Sequence, residues 1–468
     1  MSSFLRPLYF EVGFYISVSA ASKEELDDLT KTVRSICRRY MVTIDVVSLR
    51  QEAGISSVLP FSNDKVKLTR KMVTDAAAIL LPFSAQNLFA KKRFYYGKNS
   101  ITNTLIILDR NSEKNSNGFI LGKPGSGKSM KAKREIIDVM MLTDDHIIIL
   151  DPEREFTALA QALGGEVIYL SPSTDTHINP FDIMKEYADG KDPIPAKSDF
   201  ILTIIEILKG SKLTPQERAI IDRCTRLSYK EFIEHNWDDN YLPTFETFYD
   251  ILKKQEEAEA KDLALWLQLY VVGSYDAFAK KTNVNLKNRL VVFDLLEIGS
   301  QLKEFGMQIV LDFIWMQLIR NKKAGFRTKI DVDECYIYFK DESTAKAFKF
   351  LYKRDRKFGG SVTGISQNIT ELLESAEARL MLSNSEFMIL LDQSATDRAQ
   401  LIELLQLSET QAGYLKNVEK GSGLIVSGKR IIPFNDEYPK DNKIYEIYEI
   451  ITTDPKDVKR ITSASSNG

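Results

Sequence analysis

The sequence predicts an α/β fold built on a mainly parallel sheet, with an all-helical insertion and a small N-terminal α+β domain. Three observations predict it. The run Gly118-Phe119-Ile120-Leu121 leads into the glycine-rich loop Gly122-Lys123-Pro124-Gly125-Ser126-Gly127-Lys128-Ser129, and helically spaced apolar residues follow. Ile147-Ile148-Ile149-Leu150 is almost uniformly apolar, as in strands of sheets buried on both faces. Strand and helix patterns then alternate, except between 184 and 275, where no strand signal appears.

Length and composition set the outer bounds. A chain of 468 residues implies two or three domains. The 63 basic and 65 acidic side chains leave a net charge of −2. That excludes a strongly basic nucleic-acid binder but leaves room for a local basic surface. Cys37, Cys224 and Cys335 are far apart and fit no ligand spacing, which suits a reducing compartment. His146, His177 and His235 are equally scattered, so zinc chemistry is not expected. The sequence shows no basic-then-apolar leader. Its longest apolar stretches, 76–83 and 309–319, fall short of the about 18 residues of a membrane span.

Residues 8–20 are rich in β-branched and aromatic types and predict a strand. Ser22 with Glu25 three positions on forms a capping box, and Leu26, Leu29, Val33, Ile36 and Cys37 give the apolar face of a helix. A strand over 42–49 and a helix over 68–81, stopped by Pro82, complete an N-terminal domain at 1–94. The first part of the core, 95–183, holds strands at 105–108, 118–121, 146–150 and 166–170. The helix after the glycine-rich loop, 129–142, shows Met130, Ile136, Ile137, Met140 and Met141 on one face. Residues 184–275 form the insertion, with Thr214 and Glu217 as a second capping box. The second part of the core, 276–450, holds strands at 290–293, 329–333, 361–365 and 387–391, a helix over 304–321, and a hairpin at 424–426 and 431–434. Residues 451–468 form a tail that is small and polar at its end, as in disordered termini.

The loop 122–129 is a complete P-loop. Gly122, Pro124, Gly125, Ser126 and Gly127 shape a backbone that aims N–H groups at a phosphate. Lys128 supplies a cation for the β- and γ-phosphates, and Ser129 a hydroxyl for Mg²⁺. The helix dipole adds to this attraction. Hydrolysis needs a second half: a carboxylate for the metal and a group that prepares water. Asp333-Glu334 follows a strand and suits it, with Asp333 holding Mg²⁺ through its water shell and Glu334 polarising the water. Asp331 is unexpected in a buried strand, so either the strand is partly exposed or the site is locally altered. Gln367 either bridges the γ-phosphate and the water or belongs to a polar turn. The basic cluster 353–357 is either a solvated helix end or a source of Arg354 or Arg356 for the γ-phosphate of a neighbouring subunit. Glu153, after the strand ending at Leu150, either touches the water and metal network or sits in a structural turn.

Further segments fall in a specific order: Asp-Pro-Glu-Arg-Glu-Phe at 151–156, Ile-Asn-Pro-Phe-Asp at 178–182, Lys-Thr-Asn-Val at 281–284 and Val-Asp-Glu at 332–334. Arg-Lys-Phe-Gly-Gly at 356–360, Thr-Gly-Ile-Ser-Gln-Asn at 363–368, Asn-Ser-Glu-Phe at 384–387 and Gly-Ser-Gly-Leu-Ile at 421–425 follow. With the P-loop, this ordered set resembles the VirB/TraE/TrbE-type conjugation ATPases of type IV secretion systems, in the form found in Gram-positive conjugative elements. The resemblance implies a RecA-like motor core of the HerA/FtsK kind, working as a hexamer with ATP and Mg²⁺. It implies a cytoplasmic location, peripheral at the membrane face. Its partners would be inner-membrane and coupling components of the secretion channel, with DNA or a relaxase–DNA complex as a further candidate. It carries the Mg²⁺ and catalytic acids onto Asp333 and Glu334, the sensor onto Gln367, and the trans role onto Arg354 and Arg356. Two departures stand out: a shorter N-terminal domain than is usual, and Asp331 beside the acidic pair. Two other functions fit the same motifs, a DNA-pumping translocase of the HerA/FtsK kind and a nucleotide-gated scaffold with little turnover.

Overall fold

The structure is a computed structural model and describes residues 9–59, 64–74, 76–77, 87–90, 93–172, 175–188, 190–285 and 287–437. The chain divides into two compact units, Met1–Ala85 and Gln86–Gly468.

In the first unit, strand β1 (Tyr9–Val12) pairs antiparallel with β2 (Arg70–Val73), Tyr9 opposite Val73. Ser22 Oγ caps the helix Lys23–Arg39 by accepting from the Glu25 N–H at 3.2 Å, but the expected capping box is only half formed, because the Glu25 carboxylate accepts from the Ala21 N–H instead. Three expectations change. The strand expected over 8–20 is ordered as a strand only at Tyr9–Val12. Residues 42–49 are not a strand: Met41 and Leu49 both take φ of 57°, and no neighbouring strand pairs with the segment. The helix expected over 68–81 gives way at its start to β2, because pairing with β1 outweighs the local helical spacing. Residues 75 and 78–82 of that expectation lie outside the described residues, as does the tail at 451–468.

The second unit is organised by one eleven-stranded sheet. In chain order its strands are β3 (Phe94–Asn99), β4 (Leu105–Leu108), β5 (Gly118–Leu121), β6 (His146–Asp151), β7 (Glu166–Tyr169) and β8 (Leu290–Asp294). They continue with β9 (Thr328–Val332), β10 (Gly360–Ser366), β11 (Phe387–Leu390), β12 (Ser422–Ser427) and β13 (Arg430–Asn435). The spatial order is β4-β3-β13-β12-β11-β5-β10-β9-β6-β8-β7. From β11 to β7 the pairs are parallel; from β11 back to β4 they are antiparallel. The fold is therefore α/β with a largely parallel sheet and an antiparallel flank, in which β3 is a strand the apolar pattern had not announced.

The sheet is covered on both faces, which explains its apolar strands. Side chains alternate between two cores. Ile120, Ile147, Ile149, Val292, Ile365 and Ile389 pack under the helix Lys128–Leu142, which buries Ala132, Ile136 and Val139 on them. Phe119, Leu121, Ile148 and Leu150 face the other way, toward the helix Gly299–Ala324. Met141, expected on the buried face of the first helix, is 73 % exposed. Between β7 and β8 the described residues form helices and turns, among them Pro193–Lys209, Pro215–Ser228, Phe245–Lys253 and Ala258–Val271. The Thr214–Glu217 capping box is present in full. Among the described residues, no helix is long and apolar enough to cross a membrane.

Strand register sets the site. Leu121 lies level with Ser366 and Leu390, and Val332 with Leu150 and Gly364. The carboxyl ends of β5, β10, β9 and β6 thus share one edge, where open α/β sheets bind ligands.

Candidate nucleotide site

The P-loop curls directly off β5. Gly125 and Gly127 have φ of 78° and 104°, a region open to glycine and strained for other residues. A Cβ on Gly122 would lie 2.5 Å from Ser126 Oγ and 2.9 Å from Leu391 Cβ, so the turn closes only around a glycine. Neighbouring strands bolt the loop down. Gly122 N–H donates to Ser366 O at 3.2 Å, Lys123 N–H to Asp392 O at 2.8 Å, and Lys123 Nζ pairs with Asp392 Oδ2 at 2.6 Å. Gly421 N–H donates to Ser126 O at 3.1 Å. Lys128 opens the helix Lys128–Leu142, is buried, and makes no ion pair among the described residues. Ser129 follows, half-buried, and Pro124 is exposed at the loop tip. Ser126 Oγ is buried without a hydrogen-bond partner among the described residues.

The acidic half comes from β9. Asp333 N–H donates to Leu150 O at 3.0 Å, which ties the strand end to β6. Its carboxyl is 2 % exposed, and Oδ2 has no hydrogen-bond partner among the described residues. Burial raises its pKa well above the usual carboxylate range, and Glu155, Glu334 and Asp151 raise it further. Glu334 takes φ of 41°, a left-handed conformation that is uncommon for a residue other than glycine. Its pKa is raised to about 7, by burial first, against the pull of the Lys128 charge and with Glu153 adding to the rise. Gln367 N–H reaches Glu334 Oε2 at 3.5 Å.

The turn after β6 is a structural turn that also lies close enough to the acidic pair to act on it electrostatically. Asp151 accepts from the Glu155 and Phe156 N–H groups at 2.9 and 2.8 Å, and Arg154 binds Asp294 and Glu297, so these two build the turn. Glu153 and Glu155 add negative potential at Glu334 and Asp333.

The edge therefore brings together residues 122–129, Asp333, Glu334 and the Gln367 backbone. The partnerless Asp333 oxygen, the Ser129 hydroxyl and the surrounding carboxylates are the donor set a hard divalent cation takes, so the residues fit Mg²⁺. Arg354 and Arg356 are not part of this cluster. They precede β10, whose seven residues put roughly 20 Å between them and the P-loop edge. The Arg354 guanidinium lies over the Phe350 ring at 4.6 Å. Arg356 is exposed beside Lys114, Lys349 and Lys353.

Asp331 also has a structural explanation. Its strand is fully buried rather than partly exposed, and Lys329 Nζ lies 2.7 Å from Asp331 Oδ1. The Lys329-x-Asp331-x-Asp333 spacing was a legible signal of one charged face. The Lys123–Asp392 clamp had no local signal, because its partners lie far apart in the chain.

The profile of the TraG P-loop domain family matches residues 104–431. The fold is similar to VirB4 of Thermoanaerobacter pseudethanolicus, at 27% identity and a TM-score of 0.65, over 76% of this chain and 99% of that one. It is also similar to the bacterial conjugative coupling protein TrwBdeltaN70 in a sulphate complex, at 13% identity and a TM-score of 0.47, over 76% of this chain and 91% of that one. A search of curated proteins returns no match. The family profile covers most of the chain, and the chain therefore belongs to the TraG P-loop domain family.

Proposed function

We propose that this protein hydrolyses ATP with Mg²⁺ in a ring of subunits, a hexamer, and so energises conjugative transfer of DNA or protein through a type IV secretion system. The observation that carries the reading is the placement of Glu334: a buried carboxyl just past the end of β9, beside Asp333, within reach of the Gln367 N–H and at the sheet edge that also carries the P-loop. A base poised near neutral pH suits abstraction of a proton from water.

In this mechanism the backbone N–H groups of Gly125 to Ser129 hold the phosphate chain, and Lys128 balances charge on its β- and γ-groups. Ser129 and Asp333 hold Mg²⁺, which supplies charge neutralisation at the phosphates when bound. Glu334 takes the proton from the attacking water. Gln367 keeps Glu334 oriented through its N–H and senses the γ-phosphate through its side chain. Arg356, exposed at the opposite sheet edge, is the residue we assign to a neighbouring subunit's nucleotide; Arg354, held on Phe350, is the second candidate for that role. The ring would sit peripherally on the cytoplasmic membrane face, against inner-membrane and coupling components of the channel.

Steady-state ATP turnover with and without DNA, run beside a sedimentation measurement of size, tests the reading. Mg²⁺-dependent turnover by a multimer supports it. Turnover that appears only with DNA supports a DNA-pumping translocase instead, and nucleotide binding without turnover supports a gated scaffold.

A further inference from the structure

Strand β9 lies inside the sheet, between β10 and β6, yet one of its faces is charged. Lys329, Asp331 and Asp333 alternate with Ile330 and Val332, and all are buried. Lys329 Nζ lies 2.7 Å from Asp331 Oδ1 and 3.3 Å from Glu135 Oε2, and donates to Thr363 Oγ1 at 3.1 Å. Arg110 Nη1 donates to Glu135 Oε1 and to Thr363 Oγ1, both at 3.0 Å, while its Nε donates to Ser116 O at 2.8 Å. Tyr96 OH donates to Glu135 Oε1 at 3.1 Å. Two cations and two anions thus form one neutral, buried cluster.

Glu135, Lys329, Asp331 and Thr363 sit on elements that carry part of the nucleotide site, and Arg110 joins them from the turn between β4 and β5. Glu135 is on the helix headed by Lys128, two turns along and on the same face. Asp331 is one side-chain repeat below Asp333 on the same face of β9. Thr363 is on β10, which ends one residue before Gln367. Cohesion alone does not require this arrangement. Apolar side chains of similar volume hold a helix to a sheet as well or better, because buried charges lose hydration. Arg110 Nη2, Glu135 Oε2 and both Asp331 carboxylate oxygens even lack hydrogen-bond partners among the described residues; Glu135 Oε2 and Asp331 Oδ1 are held by their ion pairs with Lys329 alone. What charged hydrogen bonds add is direction: they fix distance and register where apolar packing permits sliding.

We propose that Arg110, Glu135, Lys329 and Asp331 are positioning residues that set the height of the P-loop helix over β9 and β10, and with it the spacing between Lys128 and the Asp333–Glu334 pair. For turnover the inference rests on the hydrolytic reading above; for loop geometry it stands without it.

The test compares wild type with an apolar set, Arg110→Met, Glu135→Leu, Lys329→Met and Asp331→Leu combined. Thermal midpoint, affinity for a non-hydrolysable ATP analogue, kcat, KM and amide exchange of residues 122–134 are measured. The expected result is a thermal midpoint near that of wild type, faster exchange in the loop, and kcat lower by about tenfold or more with KM changed by less than about threefold. Unchanged exchange and unchanged kcat in a folded apolar variant overturn the inference. If the combined variant does not fold, Lys329→Arg, which keeps the charge but changes its reach, is read by the same measurements and the same criteria. A wild type without turnover removes the hydrolytic reading alone, and loop exchange still decides the positioning role.

Discussion

Asp355 shows at the level of one residue how this protein spends burial on chemistry. Its carboxyl is fully buried; Oδ1 accepts from Asn117 Nδ2 at 3.2 Å and Arg356 N–H at 2.6 Å, and Oδ2 has no hydrogen-bond partner among the described residues. Burial raises its pKa to about 7. Between the unfolded value near 3.8 and about 7, the folded chain binds a proton that the unfolded chain releases, so this group lowers stability as pH rises through that window. Urea unfolding of wild type and Asp355→Asn at pH 5, 6.5 and 8 checks this. The variant gains relative stability with rising pH, and a constant difference across the series rules it out. The same scale shows what a sequence reveals. The P-loop and Asp333-Glu334 were legible because each is a contiguous motif with its chemistry in adjacent residues. Asp331 looked anomalous because, although Lys329 sits beside it on the same strand face, Glu135 and Arg110, which complete the cluster, arrive only when helix and sheet pack.

At the scale of elements, the apolar runs announced the parallel strands correctly, since burial on both faces leaves little room for polar residues. The secondary-structure assignments that misled lie mostly in the first unit, although β3 in the second was also missed. In the first unit the two strands are exposed, pairing decides structure, and local spacing carries little information. The antiparallel flank depends on close backbone approach that only glycine permits. A Cβ on Gly423 would collide with Leu390 O across the β11–β12 pair. Gly423→Ala is therefore expected to lower stability by about 3 kcal/mol through overpacking, measured as a reduced denaturation midpoint at unchanged slope. The same substitution at Gly54, where nothing stands within 4 Å of the added atom, is the control and has little effect.

At the scale of the whole molecule, Arg354 and Arg356 lie at the sheet edge opposite the P-loop, so neither serves the nucleotide site of its own subunit. A trans role predicts complementation. Lys128→Ala and Arg356→Ala subunits are each inactive alone, whereas mixed rings regain up to about a quarter of wild-type turnover, at junctions where an intact loop meets an intact arginine. Absence of recovery in verified mixed rings contradicts that role, and Arg354→Ala, whose guanidinium rests on Phe350, retains most activity. The central claim is that Glu334 prepares the attacking water at a site that binds nucleotide without it. Its most direct test is Mg²⁺-dependent ATP turnover of wild type and Glu334→Gln, with affinity for a non-hydrolysable analogue measured in parallel. The account predicts turnover lower by about a hundredfold or more at nearly unchanged affinity. Equal turnover in the two proteins would contradict it.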